Sequence, residues 1–554
     1  MSDNELYFLP LGGVGEIGMN FALYGYGPKR EREWIIVDCG VTFPGPDLPG
    51  VDLVLPDISF AQELGNALKG IVITHAHEDH YGALVALWPL LRKPVWCTPF
   101  TAGMLEAKQQ SDGNGEDIPV EVYKAGERFN VGPFGIEAVH VTHSIPEPVS
   151  LVLESPAGKI IHTGDWKLDK APTLGADTDA VRFEELGKQG VLAMICDSTN
   201  AMRDGESPTE TEVSKSIEKL IEKAKGRVAI TTFSSNVGRI RSIAEAAEAT
   251  GRRVMLMGRS IKRVCDVADD LGYLDGLQPF LEEDDFSTID RDKLVIVCTG
   301  SQGEDRAAVA KLARDEHARV HLSAGDTVIF SSRVIPGNLK LILNIQNQLA
   351  DRGINIINDG EELVHVSGHP RRNELTKMYG WVRPQISVPV HGEALHLNAH
   401  AKLAGDLGVP QVCPVRNGDM LRLAPGPAEI ICQVPHGRIY KDGDVIGDED
   451  SIGVQERRKL SYAGMVACSV VIDRNGNLAD EIDISLYGLP EVISDGDPFE
   501  DYLFDAATEA AESIPPKRRK DPAVVENAVY KAIRTAARRE WGKKPVVTVF
   551  VAKV

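Results

Sequence analysis

From the start of the chain to about residue 200, short apolar runs alternate with clusters of Gly, Pro and Asp. Glu33–Asp38, Gly70–His75, Gly135–His143, Lys159–Asp165 and Val191–Asp197 have the length and composition of buried strands. Each closes on a His or an Asp. Strand ends along one edge of a sheet can converge on a single cleft, so this recurrence is the most informative pattern in the chain.

Between about 206 and 362 the texture changes to helix–strand alternation. The periodicity predicts helices over Thr211–Lys225, Val237–Thr250 and Asn338–Arg352, and strands over Arg227–Phe233, Arg253–Met257, Lys293–Cys298 and Thr327–Phe330. The strand-then-His/Asp pattern returns at Glu362–His369 and Gln385–His391, which a second domain inserted into the first explains. The Gly- and Asp-rich stretch Lys441–Asp450 reads as a linker. Beyond it, Met465–Ile472 and Ile482–Tyr487 flank Asn475-Gly476 as a hairpin. Asp521-Pro522 starts a helix to about Trp541, and Val546–Val551 closes as a strand. The expected division is 1–205, an insert over 206–365, a return over 366–425, a linker over 426–460 and a final α/β unit over 461–554.

Composition narrows the class. At 554 residues the chain exceeds one core, and 25% charged residues with 43% hydrophobic ones suit a soluble globular protein. No apolar run approaches the roughly 18 residues of a membrane span, so no membrane contact is expected. Met1-Ser2-Asp3-Asn4-Glu5 lacks the start of an export leader. The eight cysteines form no Cys-x-x-Cys pair and read as small hydrophobes in a reducing compartment, which makes the cytoplasm the expected location. The net charge of −21 argues weakly against a nucleic-acid substrate, yet a cleft depends on local charge. Residues 515–545 hold ten Lys or Arg against three acids; a solvated helix face is the plainer reading, an RNA or partner contact the other.

The strongest chemical signal is His75-Ala-His77-Glu-Asp79-His80, which places three imidazoles and a carboxylate directly after a strand. Mixed imidazole and carboxylate ligands suit zinc or manganese, and two ions are served more naturally than one. Later strand ends offer His143, Asp165 and His391. These residues resemble the His-x-His-x-Asp-His signature of the metallo-β-lactamase superfamily. The resemblance implies that His75, His77 and His143 hold one metal, that Asp79, His80 and His391 hold the other, and that Asp165 bridges them. Asp38 matches an acid that orients ligands.

The insert resembles the β-CASP domain of nucleic-acid-processing relatives, with Asp197 in Cys-Asp-Ser-Thr-Asn and His369 in His365-Val-Ser-Gly-His369 as its motif residues. Thr232–Asn236, Thr299–Glu304 and Ser331–Asn338 are similar to segments of the bacterial ribonuclease J family. This implies an α/β architecture: a metallo-β-lactamase αββα sandwich, an inserted β-CASP domain and a small C-terminal α/β domain. It also implies a metal-dependent ribonuclease with 5′-to-3′ exonuclease and endonuclease activity in mRNA decay and rRNA maturation. A hydroxide activated by both metals would attack the scissile phosphorus. Asp197 and His369 would be catalytic, and Phe233, Ser234, Ser235, His365, Val366, Ser367, Gly368 and His369 would contact the substrate. The implied partner is 5′-monophosphorylated single-stranded RNA, and the implied assembly a homodimer or homotetramer. Ser301, Ser331 and Ser332, with Arg333, would form a pocket for the 5′-monophosphate. A β-CASP nuclease acting on DNA and a non-catalytic RNA-binding scaffold are the alternatives.

Other patterns carry less. Gly13-Val-Gly15-Glu-Ile-Gly18 spells a dinucleotide fingerprint, but Met19–Tyr26 after it reads as a strand, so a tight hairpin is expected. His396 and His400 read as a plain helix face, and His140 and His162 as residues within strands. Asp47, Asp442 and Asp444 could hold a structural calcium, with solvated loop carboxylates the preferred reading.

Overall fold

The computed structural model describes residues 4–112, 116–335 and 337–554; Met1-Ser2-Asp3 and Pro336 of the Ser331–Asn338 segment lie outside them. The chain divides into two compact units, one of residues 1–42 and 55–438, the other of 43–54 and 439–554.

The first unit contains two sheets facing each other. In spatial order one runs Glu429–Gln433, Asp419–Ala424, Glu5–Gly12, Phe21–Gly27, Glu33–Val37, Leu68–Val72, Val95–Cys97 and Val120–Val122. The other runs Gln411–Val412, Ile386–Val390, Ala193–Asp197, Gly158–His162, Val149–Ser155, Phe134–His140 and Arg128–Val131. Phe8, Ile35 and Val72 of the first meet Leu151, Ile195 and Val388 of the second in one core. The second sheet buries its other face under helices through Phe183, Met378 and Leu403, among others. With both faces covered, its strands lack polar alternation, which is why they read as continuous apolar runs.

The insert has its own parallel sheet, ordered Arg253–Met257, Leu294–Cys298, Val228–Thr231, Thr327–Phe330 and Asn355–Asn358. Helices Glu210–Lys223 and Val237–Ala249 start on side-chain caps, Thr209 and Asn236. Each cap oxygen accepts an otherwise orphaned helix N–H.

Two expectations change. Glu362–His369 is irregular backbone and not a strand; Val364, Val366 and Gly368 are buried and the residues between them half-buried. The segment expected as a linker carries the strands Glu429–Gln433, Arg438–Asp442 and Val445–Gly447 and the helix Val454–Ala463. These strands expose much of both faces, and their apolar runs are only two or three residues long between Gly- and Asp-containing turns.

In the second unit, Asp483–Tyr487, Met465–Ile472 and Val546–Lys553 form a three-stranded sheet. The helices Phe499–Ser513 and Pro522–Trp541 cover one face through Leu503, Ala507, Val529 and Ile533. Among the described residues, no helix is long and apolar enough to cross a membrane.

Candidate two-metal active site

Three adjacent parallel strands, Gly158–His162, Ala193–Asp197 and Ile386–Val390, deliver Asp165, Asp197 and His391 to the same edge of their sheet. The loop after Leu68–Val72 in the facing sheet brings His75 to His80, and the loop after Phe134–His140 brings His143. Two of the corner residues, Asp38 and His391, adopt left-handed backbone with φ of 64° and 50°. Such values cost energy for a non-glycine residue and persist only where the surroundings fix them.

The donor atoms fall into overlapping groups whose members lie within 4.8 Å of one another. One group is His75, His77, His143 and Asp165; a second is Asp79, His80, Asp165 and His391; a third joins Asp165 and His391 to Asp197 and His369. Asp165 Oδ2 is common to all, at 3.2 Å from His80 Nε2, 3.5 Å from His391 Nε2, and 3.8 and 3.7 Å from the Nε2 atoms of His75 and His143.

Surrounding hydrogen bonds decide which nitrogen of each ring is a donor. Asp38 Oδ2 accepts from His80 Nδ1 at 2.7 Å and from the Thr74 hydroxyl at 3.0 Å. With its proton given to Asp38, the Thr74 oxygen accepts from His75 Nδ1 at 2.9 Å. His143 Nδ1 donates to the Gly368 carbonyl at 2.6 Å, and His391 Nδ1 to Asn20 Oδ1 at 2.9 Å. Four rings therefore carry a proton on Nδ1 and aim Nε2 into the cluster; burial opposes a charge on His80, but Asp165, Asp79 and Asp38 outweigh it and hold that ring above the usual imidazole range.

Lone pairs so close repel unless a cation lies between them. His77 Nδ1 is 3.2 Å from His75 Nε2 and 3.0 Å from His143 Nε2. Burial, with neighbouring imidazoles adding to it, holds His75 and His143 well below the usual imidazole range. Burial also brings His77 down to about 4, so this ring is neutral and its single proton can occupy at most one of the two gaps. Asp165 Oδ1 and His391 Nε2 are buried without any hydrogen-bond partner. Orphaned acceptors amid imidazole and carboxylate donors are what a pair of divalent cations fits.

His369 differs from the others. Its Nδ1 donates to Asp197 Oδ2 at 2.8 Å. Burial opposes its charge, but Asp197 and Asp165 outweigh burial and raise its pKa to about 9. Val366 and Gly368 are buried, and Ser367 Oγ accepts from Asn200 Nδ2 at 2.8 Å. The Phe233 ring sits 6.4 Å from that of His365, while Ser234 and Ser235 are half-buried beside the Asn236 cap. His365 is pushed down to about 3 by burial and by Arg239, and its Nδ1 has no partner. Ser331 is differently employed from the phosphate pocket expected for it: its hydroxyl donates to the Val364 carbonyl at 2.7 Å and accepts from Arg239.

Several supporting residues carry no local sequence signal. Asn200 Nδ2 also donates to the His369 carbonyl at 3.1 Å. Arg239 is fully buried, pairs with Glu210 at 2.6 Å and donates to the Val364 carbonyl. Glu374 accepts from the backbone N–H groups of Leu168, Ser207 and Arg371. Its carboxylate thus joins the chain three residues after Asp165 to the chain two residues after His369. His400, expected on a plain helix face, is instead buried between Ser198 Oγ and Tyr379 OH at 2.8 Å each. The helix Ala394–Asp406 turns that side inward, where a helical repeat alone reveals nothing. Asp442 pairs with Arg457, and no metal-ligand group among the described residues includes Asp47, Asp442 or Asp444. The Gly13–Gly18 segment leads into the strand Phe21–Gly27, and the Gly13 carbonyl accepts from His391 N–H at 2.7 Å.

Comparison with known proteins places this geometry. Residues 33–183 match the beta-lactamase superfamily domain and 357–414 the Zn-dependent metallo-hydrolase RNA specificity domain. Residues 225–349 match the ribonuclease J beta-CASP domain, and 452–554 the ribonuclease J C-terminal domain. Ribonuclease J from Sinorhizobium meliloti is 61% identical over 100% of this chain and 98% of its own length. The chain belongs to the ribonuclease J family. Ribonuclease J from Corynebacterium glutamicum is 34% identical over 98% of this chain and 75% of that protein. Ribonuclease J 1 from Streptococcus pyogenes is 37% identical over 86% of this chain and 84% of its own. A solved structure of a protein of unknown function from Enterococcus faecalis V583 has a TM-score of 0.52 at 15% identity; it covers 76% of this chain and 100% of its own. That likeness concerns the fold. The architecture is the ribonuclease J one: a metallo-β-lactamase fold, an inserted β-CASP domain and a C-terminal α/β domain.

Proposed function

We propose that this member of the ribonuclease J family hydrolyses RNA as a metal-dependent 5′-to-3′ exonuclease and endonuclease, serving mRNA decay and rRNA maturation in the cytoplasm. The single observation that carries the reading is the set of inward-facing lone pairs around Asp165, in a chain whose relatives are ribonucleases. His75, His77 and His143 would hold one divalent cation, Asp79, His80 and His391 would hold the second, and Asp165 would serve both. Zinc suits this donor set best and manganese next; Arg457's hold on Asp442 speaks against a calcium between the loops. When bound, the two ions supply an activated water at neutral pH and neutralise charge on the phosphoryl oxygens.

The chain's own residues do the rest. Asp38 keeps His75 and His80 in the ligating tautomer, directly for His80 and through Thr74 for His75. Asp197 holds His369 by Nδ1, so Nε2 is the nitrogen left to donate to the scissile phosphate or the departing oxygen. The 233–235 and 365–369 loops bind the neighbouring backbone, preferably of 5′-monophosphorylated single strands. The working division is 1–205 and 366–425 for the metal domain, 206–365 for the insert and 461–554 for the C-terminal domain, which joins two or four copies. Action on DNA is the weaker reading, since the relatives are named as ribonucleases.

The test is a His77→Ala protein assayed on 5′-monophosphorylated RNA beside a matched DNA strand. Loss of RNA hydrolysis, with the unmodified protein preferring RNA, is the expected result. Undiminished hydrolysis would remove the metal mechanism, and equal rates on DNA would remove the RNA assignment.

A further inference from the structure

The basic run near the C-terminus is not used by the site described above. The helix Pro522–Trp541 buries Val525, Val529, Ile533, Ala536 and Ala537. Lys531, Arg534 and Arg538, spaced i, i+3 and i+7, form a stripe on the opposite side, with exposed Asn527 and Thr535 beside it. At twenty residues the helix is about 30 Å long.

Two features separate this stripe from an ordinary solvated face. First, its charge meets no carboxylate: the one ion pair formed within 515–545 among the described residues joins Arg539 to Glu540, and Arg534 donates instead to the Tyr530 hydroxyl. The neighbouring helix Phe499–Ser513 carries Glu500, Asp501, Asp505, Glu509 and Glu512 and no base, yet no ion pair links it to the basic helix. The two helices pack through apolar side chains and turn their opposite charges apart. A surface of mixed sign would have been the neutral outcome. Second, aromatic surface adjoins the stripe at the helix's C-terminal end. Lys543 Nζ lies 4.4 Å from the centre of the Tyr462 ring, which is 70% exposed, and 5.1 Å from that of Trp541.

We propose that Lys531, Arg534 and Arg538, continued by Lys543 against Tyr462, form an auxiliary contact for single-stranded RNA, the cations meeting backbone phosphates and the exposed Tyr462 ring stacking on a base. A lipid surface fits less well, because an interfacial helix offers an apolar face to the bilayer and this one spends its apolar face on the core. The inference rests on the RNA reading of the preceding subsection.

The test uses the full-length metal-loaded protein and a K531E/R534E/R538E variant, changed at exposed Lys531 and Arg538 and at half-buried Arg534. Binding of a phosphorothioate single-stranded RNA of about 30 nucleotides is measured at several salt concentrations, and hydrolysis of a tetranucleotide in parallel. The variant is expected to bind about tenfold more weakly, with a salt slope shallower by about two, as three lost phosphate contacts on a single strand require. Tetranucleotide hydrolysis should not change. Unaltered affinity and slope would overturn the proposal. So would a variant that loses binding to phosphatidylserine vesicles, or changes its oligomeric mass, while still holding RNA normally. If neither protein cleaves the tetranucleotide, the ribonuclease reading fails, and the binding data still decide the RNA contact.

Discussion

The two ends of the site are built by different means. At one end, His75 to His80 lie within six consecutive residues, and one carboxylate, Asp38, aligns two of the rings. At the other, His365 to Arg371 follow irregular backbone held by Asn200, Arg239 and Glu374, which come from separate elements. The first end is local chemistry on a strand end. The second is long-range assembly, in which the insert and the return of the chain must both be in place before His369 meets Asp197. Damage at the first should therefore appear as lost metal, and damage at the second as lost rate or stability with metal retained.

The largest effect expected is that of His369→Ala. Hydrolysis of 5′-monophosphorylated RNA should fall by about 10²- to 10⁴-fold, the range for losing a positioned acid or base, with two ions per chain still bound. Metal content and kcat measured on one sample check it. Simultaneous loss of metal would show that the two ends are not separable.

Glu210→Gln comes next, and acts on stability. Burial alone would raise the Glu210 carboxyl, but Arg239 and Lys167 hold it down at about 2. Its counterpart in an unfolded chain lies near 4.3. The folded value is the lower one, so this stabilisation is complete above about pH 4.3 and disappears as pH falls from there to 2. The substitution leaves Arg239 buried without its carboxylate, while Lys167 keeps Asp169 at 3.0 Å, a loss of about 3–5 kcal/mol. Denaturant midpoints at pH 7 and pH 3 test both statements: the variant should be much weaker at neutral pH and should lose less on acidification.

Asp38→Asn should weaken metal binding by about 10- to 100-fold, because an amide cannot accept from His80 and the Thr74 hydroxyl at one position and from the Thr74 N–H at the other. Competition with a chelator reads this directly, and excess metal should restore part of the rate. Asn200→Ala should do least. It frees the His369 carbonyl and the Ser367 hydroxyl, lowering kcat by about tenfold, equivalent to one or two net hydrogen bonds, without altering metal content.

The same contrast explains what the sequence disclosed. Strands such as Arg253–Met257 and Thr327–Phe330 were legible to the residue because both faces are buried and the apolar run is unbroken. His75, His77, Asp79, His80, His143, Asp165, Asp197 and His391 could be named because each lies at or after such a strand; His369 follows irregular backbone. The segment 426–460 misled because its strands are short and largely exposed and the turns between them are rich in Gly and Asp. His400, Glu374 and Arg239 stayed hidden because a polar residue on a helix normally faces water. Their burial depends on partners up to 206 positions away in the chain, as for Glu374 and Leu168. Asn20 escaped notice for the same reason: it reaches His391 across 371 positions.

The most direct test counts metal in Asp165→Ala beside the unmodified protein and follows RNA hydrolysis on the same preparations. The unmodified chain should carry two divalent ions and cleave 5′-monophosphorylated RNA; the variant should lose the metal pair and the activity together. A variant that keeps both ions and cleaves at the normal rate would contradict the claim that this carboxylate joins the two halves of the site.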